Sequence, residues 1–302
     1  MKLAGVMPPI TTAFKESGDV SVDGLKENFR KWNRTGLSGY LVLGSTGETV
    51  YLSEAERLRV VETARASIPD SMTMMVGTGR ESTRETVDFT NHAADLGADC
   101  ALVITPSFLR AAMTPDVLYD HFAAVAESAR IGILLYNVPQ FTGVNLQPEV
   151  VARLSQHPNI LGIKDSSGDI EQLSRIIDLS RKGFAVFTGS AQVFFAALCI
   201  GAVGGILAAA DLVPREFVEI QSLFDAGKIS EARALQTKMT PLAVAVTNTY
   251  GISGLKSAMD MAGYYGGPPR LPLQPVDPAA KDELRRLLHQ ASPRSTKRKG
   301  IA

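Results

Sequence analysis

An α/β fold, a (β/α)8 TIM barrel carrying a C-terminal helical appendage, is predicted by three features of the 302-residue sequence. Short apolar runs alternate with longer amphipathic stretches, and the alternation occurs eight times. The runs are apolar on both sides rather than at every second residue, as in strands covered on two faces and paired in parallel through crossover helices. The segment after the first run, "PPITTAF", is not the glycine-rich dinucleotide turn that a doubly wound open sheet would place there. A barrel of about 250 residues plus an appendage also suits the chain length.

The expected strands lie near 4–12, 39–43, 73–77, 99–104, 131–136, 160–163, 184–188 and 202–207, with helical patterns near 22–36, 53–68, 82–96, 115–129, 148–156, 169–182, 191–200 and 214–226 between and after them. Several helices announce their starts. Ser53 is followed three residues on by Glu56, Ser82 by Glu85, and Thr114 directly by Pro115, which are N-terminal capping signals. Beyond about 229 the patterns are helical only, interrupted by "GGPPRLPLQP". Residues 1–227 are therefore expected to form the catalytic barrel, 228–290 a helical region, and 291–302 a flexible basic tail.

Composition removes several function classes. Thirty-one basic residues balance thirty-one acidic ones, so no global field draws in nucleic acid or an anionic membrane. No apolar run approaches the roughly 20 residues of a membrane span. The first residues, "MKLAGVMPPITTAF", place prolines where a signal peptide needs an unbroken apolar stretch, and a cytoplasmic location is expected. Cys100 and Cys199 both sit in apolar runs and are expected to be free thiols acting as small hydrophobes. The four histidines are scattered without ligand spacing, so no metal is expected.

In barrels of this kind the chemistry lies where strands end and loops begin. Three such positions carry reactive groups. After the second run, "GSTGET" sets Ser45 and Thr46 between glycines, where hydroxyls and exposed N–H groups can hold a carboxylate, or can simply cap the next helix. At the end of the fifth run, in "YNVPQFTG", Tyr136 offers a phenol at the barrel mouth or a packed aromatic. At the end of the sixth, "ILGIKDSSGD", Lys164 closes an apolar strand, where burial disfavours the ammonium form and favours a nucleophilic amine. The competing reading of Lys164 is a salt bridge to Asp165. Amine, phenol and hydroxyl turn together supply what imine chemistry on a 2-oxo acid requires.

The motifs "GSTGE" at 44–48, "YNVP" at 136–139, "GIKDSSGD" at 162–169 and "GAVGGI" at 201–206 resemble those of the dihydrodipicolinate synthase and N-acetylneuraminate lyase family of class I Schiff-base aldolases. "GLKSAMDMAGYYGGPPRLPLQ" at 254–274 and "LSQHPNILGIKDSSGD" look most like the 4-hydroxy-2-oxoglutarate aldolases of that family. The resemblance implies that Lys164 forms the Schiff base and that Tyr136 is the general acid/base. It implies that Ser45 and Thr46 bind the pyruvate carboxylate, with Thr46 in the hydroxyl relay, and that Gly189 and Ile206 line the pocket by their backbones. It further implies pyruvate and an aldehyde as small-molecule partners, a homotetramer or homodimer, and no cofactor.

Two positions depart from the family pattern. Where the dihydrodipicolinate synthases carry an arginine that holds the carboxylate of aspartate semialdehyde, this chain has Phe141. Where a tyrosine usually feeds protons to the relay, it has Phe108, and Arg110 and Tyr119 are candidate substitutes. The expected activity is thus a 4-hydroxy-2-oxoglutarate aldolase-like reaction of pyruvate and glyoxylate. The alternatives are 4-hydroxy-tetrahydrodipicolinate synthase, a sugar-acid aldolase or dehydratase, and a non-catalytic 2-oxo-acid binding protein.

Overall fold

The computed structural model describes residues 3–292, so nearly all of the expected basic tail lies outside the described residues. In chain order the elements are β1 (Gly5–Met7), α1 (Val22–Trp32), β2 (Gly39–Val42), α2 (Glu54–Arg65), β3 (Thr73–Gly77), α3 (Thr83–Asp95), β4 (Cys100–Ile104) and α4 (Pro115–Ser128). They continue with β5 (Ile133–Asn137), α5 (Pro139–Thr142), α6 (Pro148–Leu154), β6 (Ile160–Asp165), α7 (Ile170–Leu179), β7 (Ala185–Thr188), α8 (Phe194–Cys199) and β8 (Gly204–Ile206). Four helices follow: α9 (Pro214–Asp225), α10 (Ile229–Val244), α11 (Gly251–Met261) and α12 (Pro278–Ala291). The strand order β1-β8-β7-β6-β5-β4-β3-β2 is that of an eight-stranded β/α barrel, the predicted fold class.

Local sequence explains the boundaries. Ser53 and Glu56 form a reciprocal capping box on α2, Ser82 caps α3, and Thr114 caps α4 with Pro115 at its first turn. β1 is shorter than the apolar run at 4–12 because Pro8 and Pro9 have no N–H to give a ladder. Pro241 lies inside α10, which passes into a π-helical turn at Ala245–Thr249.

The chain divides into two compact units. One comprises the first five residues and Thr73–Ile206, and holds β3 to β8 with their helices. Its strands pair in parallel throughout, and its core gathers Phe122, Val125, Leu135, Leu154, Ile163 and Ile176 from strands and helices alike. Gly204 in the "GAVGGI" motif is there for want of space, since a Cβ would lie 2.0 Å from the Gly5 carbonyl oxygen.

The other unit comprises Val6–Met72 and, among the described residues, 207–292. Within it Pro9 bridges Leu41 in parallel, and Ile10 donates its N–H to the Leu41 carbonyl at 2.9 Å. Its core is aromatic: Phe29 meets Trp32 and Tyr40 edge-on, Tyr264 stacks on Trp32, and the indole N–H donates to the Asp211 carbonyl at 2.9 Å. Cys100 is buried as expected, whereas Cys199 is exposed, because it ends α8 rather than sitting inside it. Among the described residues no helix is long and apolar enough to cross a membrane.

Candidate active site

Tyr136 and Lys164 are neighbours across the β5–β6 ladder, each one residue from the end of its strand. Parallel pairing sets them side by side, and Lys164 Nζ lies 4.3 Å from the centroid of the Tyr136 ring. Both are buried, Lys164 to 3% exposure. An amine and a phenol so placed can serve one carbonyl carbon and one oxygen on it.

The salt-bridge reading of Lys164 does not hold. Successive residues of a strand face opposite ways, and the Asp165 carboxylate is committed elsewhere. Its Oδ2 accepts from Asn137 Nδ2 at 2.7 Å and from Gln172 Nε2 at 2.9 Å. Its Oδ1 accepts from the Ser167 N–H at 3.0 Å and from the Ser167 hydroxyl. A buried carboxylate with four donors is fully satisfied without Lys164. Asn145 extends the network, accepting from Asn137 at 2.8 Å, and Asn137 Oδ1 accepts the Leu146 N–H at 2.9 Å. This cluster braces the loops after β5 and β6, and the sequence alone did not point to it, since its members are polar residues dispersed over loop and helix.

The next strand completes the surround of the amine. The Gly189 N–H donates to the Asp165 carbonyl at 2.6 Å. A Cβ on Gly189 would lie 2.9 Å from Lys164 Cε and 1.9 Å from Ser166 Oγ, so only glycine lets this backbone pass so near the lysine stem. Ile206, buried, follows the Thr188–Gly205 pair at the end of β8. Gln140 Nε2 donates to the Ser166 and Ser167 carbonyls at 2.8 and 3.0 Å, tying the β5 loop to the β6 loop.

Ser45 and Thr46 belong to the second unit. They form a 3-10 turn with Gly47, half-buried, bracketed by Leu43 and Glu48 in left-handed backbone conformation at φ 60° and 55°. Thr12 Oγ1 donates to the Gly47 carbonyl at 2.6 Å from one side. Glu48, fully buried, anchors the other side on Lys256. Lys256 is thus a second buried lysine, but its nitrogen is engaged by Glu48 and by the Pro268 carbonyl.

The departures from the family pattern are at the surface of the first unit. Phe141 is 69% exposed on α5, and Phe108 is 84% exposed. The backbone N–H groups of Ser107 and Phe108 both donate to Glu81 Oε2 at 2.9 Å, which holds that loop. Tyr119 packs under the Arg153 guanidinium, 4.2 Å from its ring centroid, which is a packing role. Arg110 lies against Gly143, where a Cβ would come 2.6 Å from its Nη1.

Comparisons with known proteins show the family and the fold. Residues 2–291 match the dihydrodipicolinate synthetase family. A 4-hydroxy-tetrahydrodipicolinate synthase of Methanothrix thermoacetophila is 41% identical over 291 residues, covering 95% of this chain and 97% of that protein. The crystal structure of a dihydrodipicolinate synthase from Bacillus anthracis superposes with a TM-score of 0.92 at 26% identity, covering 97% of this chain and 100% of that one. That of Thermotoga maritima does so with a TM-score of 0.91 at 31% identity, covering 96% and 99%. The chain belongs to the dihydrodipicolinate synthetase family and is a pyruvate-dependent class I aldolase, a Schiff-base lyase.

Proposed function

We propose that the chain joins pyruvate to an aldehyde as a 4-hydroxy-tetrahydrodipicolinate synthase, with Lys164 as the imine-forming residue. The observation that supports the chemistry is the buried Lys164 amine beside the Tyr136 ring, with Asp165 occupied elsewhere. The choice of product rests on relatives named 4-hydroxy-tetrahydrodipicolinate synthase at 41% and 37% identity. That reading replaces the 4-hydroxy-2-oxoglutarate aldolase expected from the sequence.

In the proposed mechanism the Lys164 amine attacks C2 of pyruvate while Ser45 and Thr46 hold its carboxylate by hydroxyl and N–H groups. Tyr136 donates a proton to the carbinolamine oxygen, which leaves as water. The protonated imine then takes up the electron pair released when C3 loses a proton, and the resulting enamine attacks the aldehyde carbon. Thr46 relays protons, and the backbones at Gly189 and Ile206 line the pyruvate pocket. An acceptor bearing an amine, such as aspartate semialdehyde, can displace Lys164 by attacking the imine carbon and so release the product. The family's multimeric habit makes a homotetramer or homodimer part of the proposal.

A second reading is favoured by Phe141. An exposed apolar ring stands where a carboxylate-binding arginine is expected, which suits a smaller acceptor such as glyoxylate. Borohydride reduction in the presence of pyruvate, with the adduct mapped by mass spectrometry, tests the chemistry; absence of an adduct on Lys164 rejects it. Turnover with aspartate semialdehyde against glyoxylate then separates the two acceptors.

A further inference from the structure

Glu48, Lys256 and the part-buried Arg270 form a charge cluster within the second unit, and the mechanism makes no use of it. Both side chains of the Glu48–Lys256 ion pair are 0% exposed, with Nζ 2.5 Å from Oε1. Glu48 Oε2 accepts the backbone N–H of Arg270 at 2.8 Å. Lys256 Nζ also donates to the Pro268 carbonyl at 2.9 Å, and both cations lie 4.3 Å from the Phe14 ring centroid. The Arg270 guanidinium donates to the Tyr51 carbonyl at 2.8 Å and to both oxygens of Glu56, the capping residue of α2. One cluster therefore holds the residue that closes the Ser45–Gly47 turn, the turn after it, and the start of the next helix.

That turn needs holding. Leu43 and Glu48, neither of them glycine, are both in left-handed conformation, which persists only where surrounding contacts over-determine it. Burying an ion pair is costly, and a well-packed apolar pair of similar size often serves stability as well. A charged pair here is explained by what its geometry dictates: Glu48 is drawn inward, and its N–H closes the turn on the Ser45 carbonyl at 3.0 Å.

We propose that Glu48, locked by Lys256 and the Arg270 backbone and opposed by Thr12 on Gly47, is the positioning residue for the hydroxyl turn and sets its affinity for the carboxylate of a 2-oxo acid. The affinity part rests on the proposed function; the anchoring part does not. Neither lysine nor glutamate touches substrate. Their removal loosens ground-state carboxylate binding while leaving imine formation at saturating pyruvate intact.

Two arms test this on the full chain. Hydrogen exchange across 44–49, read without any ligand, is faster in Glu48→Gln and in the paired Glu48→Gly/Lys256→Met variant, which keeps the left-handed backbone free of strain and leaves no charge unpaired. Borohydride trapping with pyruvate then shows half-saturation raised roughly tenfold with the adduct plateau within about twofold. Should neither Glu48 variant fold, Thr12→Val loses one hydrogen bond and raises half-saturation by roughly threefold to tenfold. Native exchange and native half-saturation in a folded variant overturn the proposal. A fall in plateau without a change in half-saturation also overturns it. No adduct in the native protein rejects the proposed function, and the exchange arm then decides the anchoring alone.

Discussion

Lys164 Nζ lies 4.3 Å from the centroid of the Tyr136 ring, and the two residues are paired in register between β6 and β5. In the proposed mechanism the ring and the hydroxyl of this tyrosine do separate jobs. Tyr136→Phe keeps the ring against the amine and removes only the proton donor. The expected result is a kcat lower by roughly 10²- to 10⁴-fold with the pyruvate adduct still mapping to Lys164. Lys164→Met abolishes the adduct. Stopped-flow or steady-state rates with adduct mapping on both variants check this, and an adduct on Lys164→Met would refute the assignment.

Gly189 is the second position where geometry sets a firm expectation. In Gly189→Ala the new methyl meets Ser166 Oγ at 1.9 Å and Lys164 Cε at 2.9 Å, so both side chains must move. Overpacking of this sort costs about 1–3 kcal/mol. A lower melting temperature and a slower trapping rate are expected. Adding Ser166→Gly restores most of the stability and not the trapping, because the contact with the lysine stem remains.

The barrel was legible because its strands are apolar on both faces and its helices carry capping residues, Ser53 with Glu56 being the plainest case. Lys164 and Tyr136 stood out as polar residues ending such runs. The four-residue α5 was not legible, since it holds too few residues to show a period and begins at Pro139 inside a loop. Neither was the Asp165 network, whose donors come from β5, the β6 loop and α7, nor the Glu48–Lys256 pair, whose members lie near opposite ends of the chain. Contacts of that kind depend on tertiary packing within each unit and leave no periodic trace. The salt bridge to Asp165, the competing reading of Lys164, fails for a simpler reason, since adjacency in a strand separates side chains instead of joining them.

His121 predicts an acid limb of stability. Burial lowers its pKa from 6.5 to about 4, and Thr83 Oγ1 lies 2.8 Å from its Nδ1. The folded state therefore holds the neutral ring while the unfolded chain takes up a proton below pH 6.5. Its contribution is complete above that value and is lost as pH falls toward 4, an amount on the order of 3 kcal/mol. Urea unfolding between pH 7 and 4 is expected to show this loss, and His121→Leu to reduce it.

Asp211 predicts a slope of the opposite sign. Its carboxyl is fully buried without a hydrogen-bond partner for either oxygen, and burial pushes its pKa well above the usual range. The folded state keeps the proton that the unfolded chain releases near pH 4. Its contribution to stability is therefore greatest below the ordinary carboxylate pKa and is lost as pH rises toward the folded value. Above pH 7 the histidine no longer titrates, so a fall in unfolding free energy there that disappears in Asp211→Asn belongs to this residue. An unchanged slope in that variant would show that the carboxylate is ionised in the fold.

Phe141 bears on acceptor choice. It is 69% exposed, so replacing it changes stability little, within about 0.5 kcal/mol for an ordinary surface site. Phe141→Arg introduces a planar cation on α5, directly after the strand that carries Tyr136. A charge-assisted hydrogen bond to an acceptor carboxylate contributes about 1.5–3 kcal/mol, or roughly 10- to 100-fold in kcat/KM. The gain should be larger for aspartate semialdehyde, whose carboxylate lies far from the reacting carbon, than for glyoxylate, whose carboxylate is attached to it. Pyruvate half-saturation should stay constant, because in the proposed mechanism the imine forms before the acceptor arrives. Equal gains for both acceptors would mean that position 141 attracts anions without discriminating between them. No gain for either would place acceptor recognition on other residues, with Arg110 beside Gly143 the first to vary.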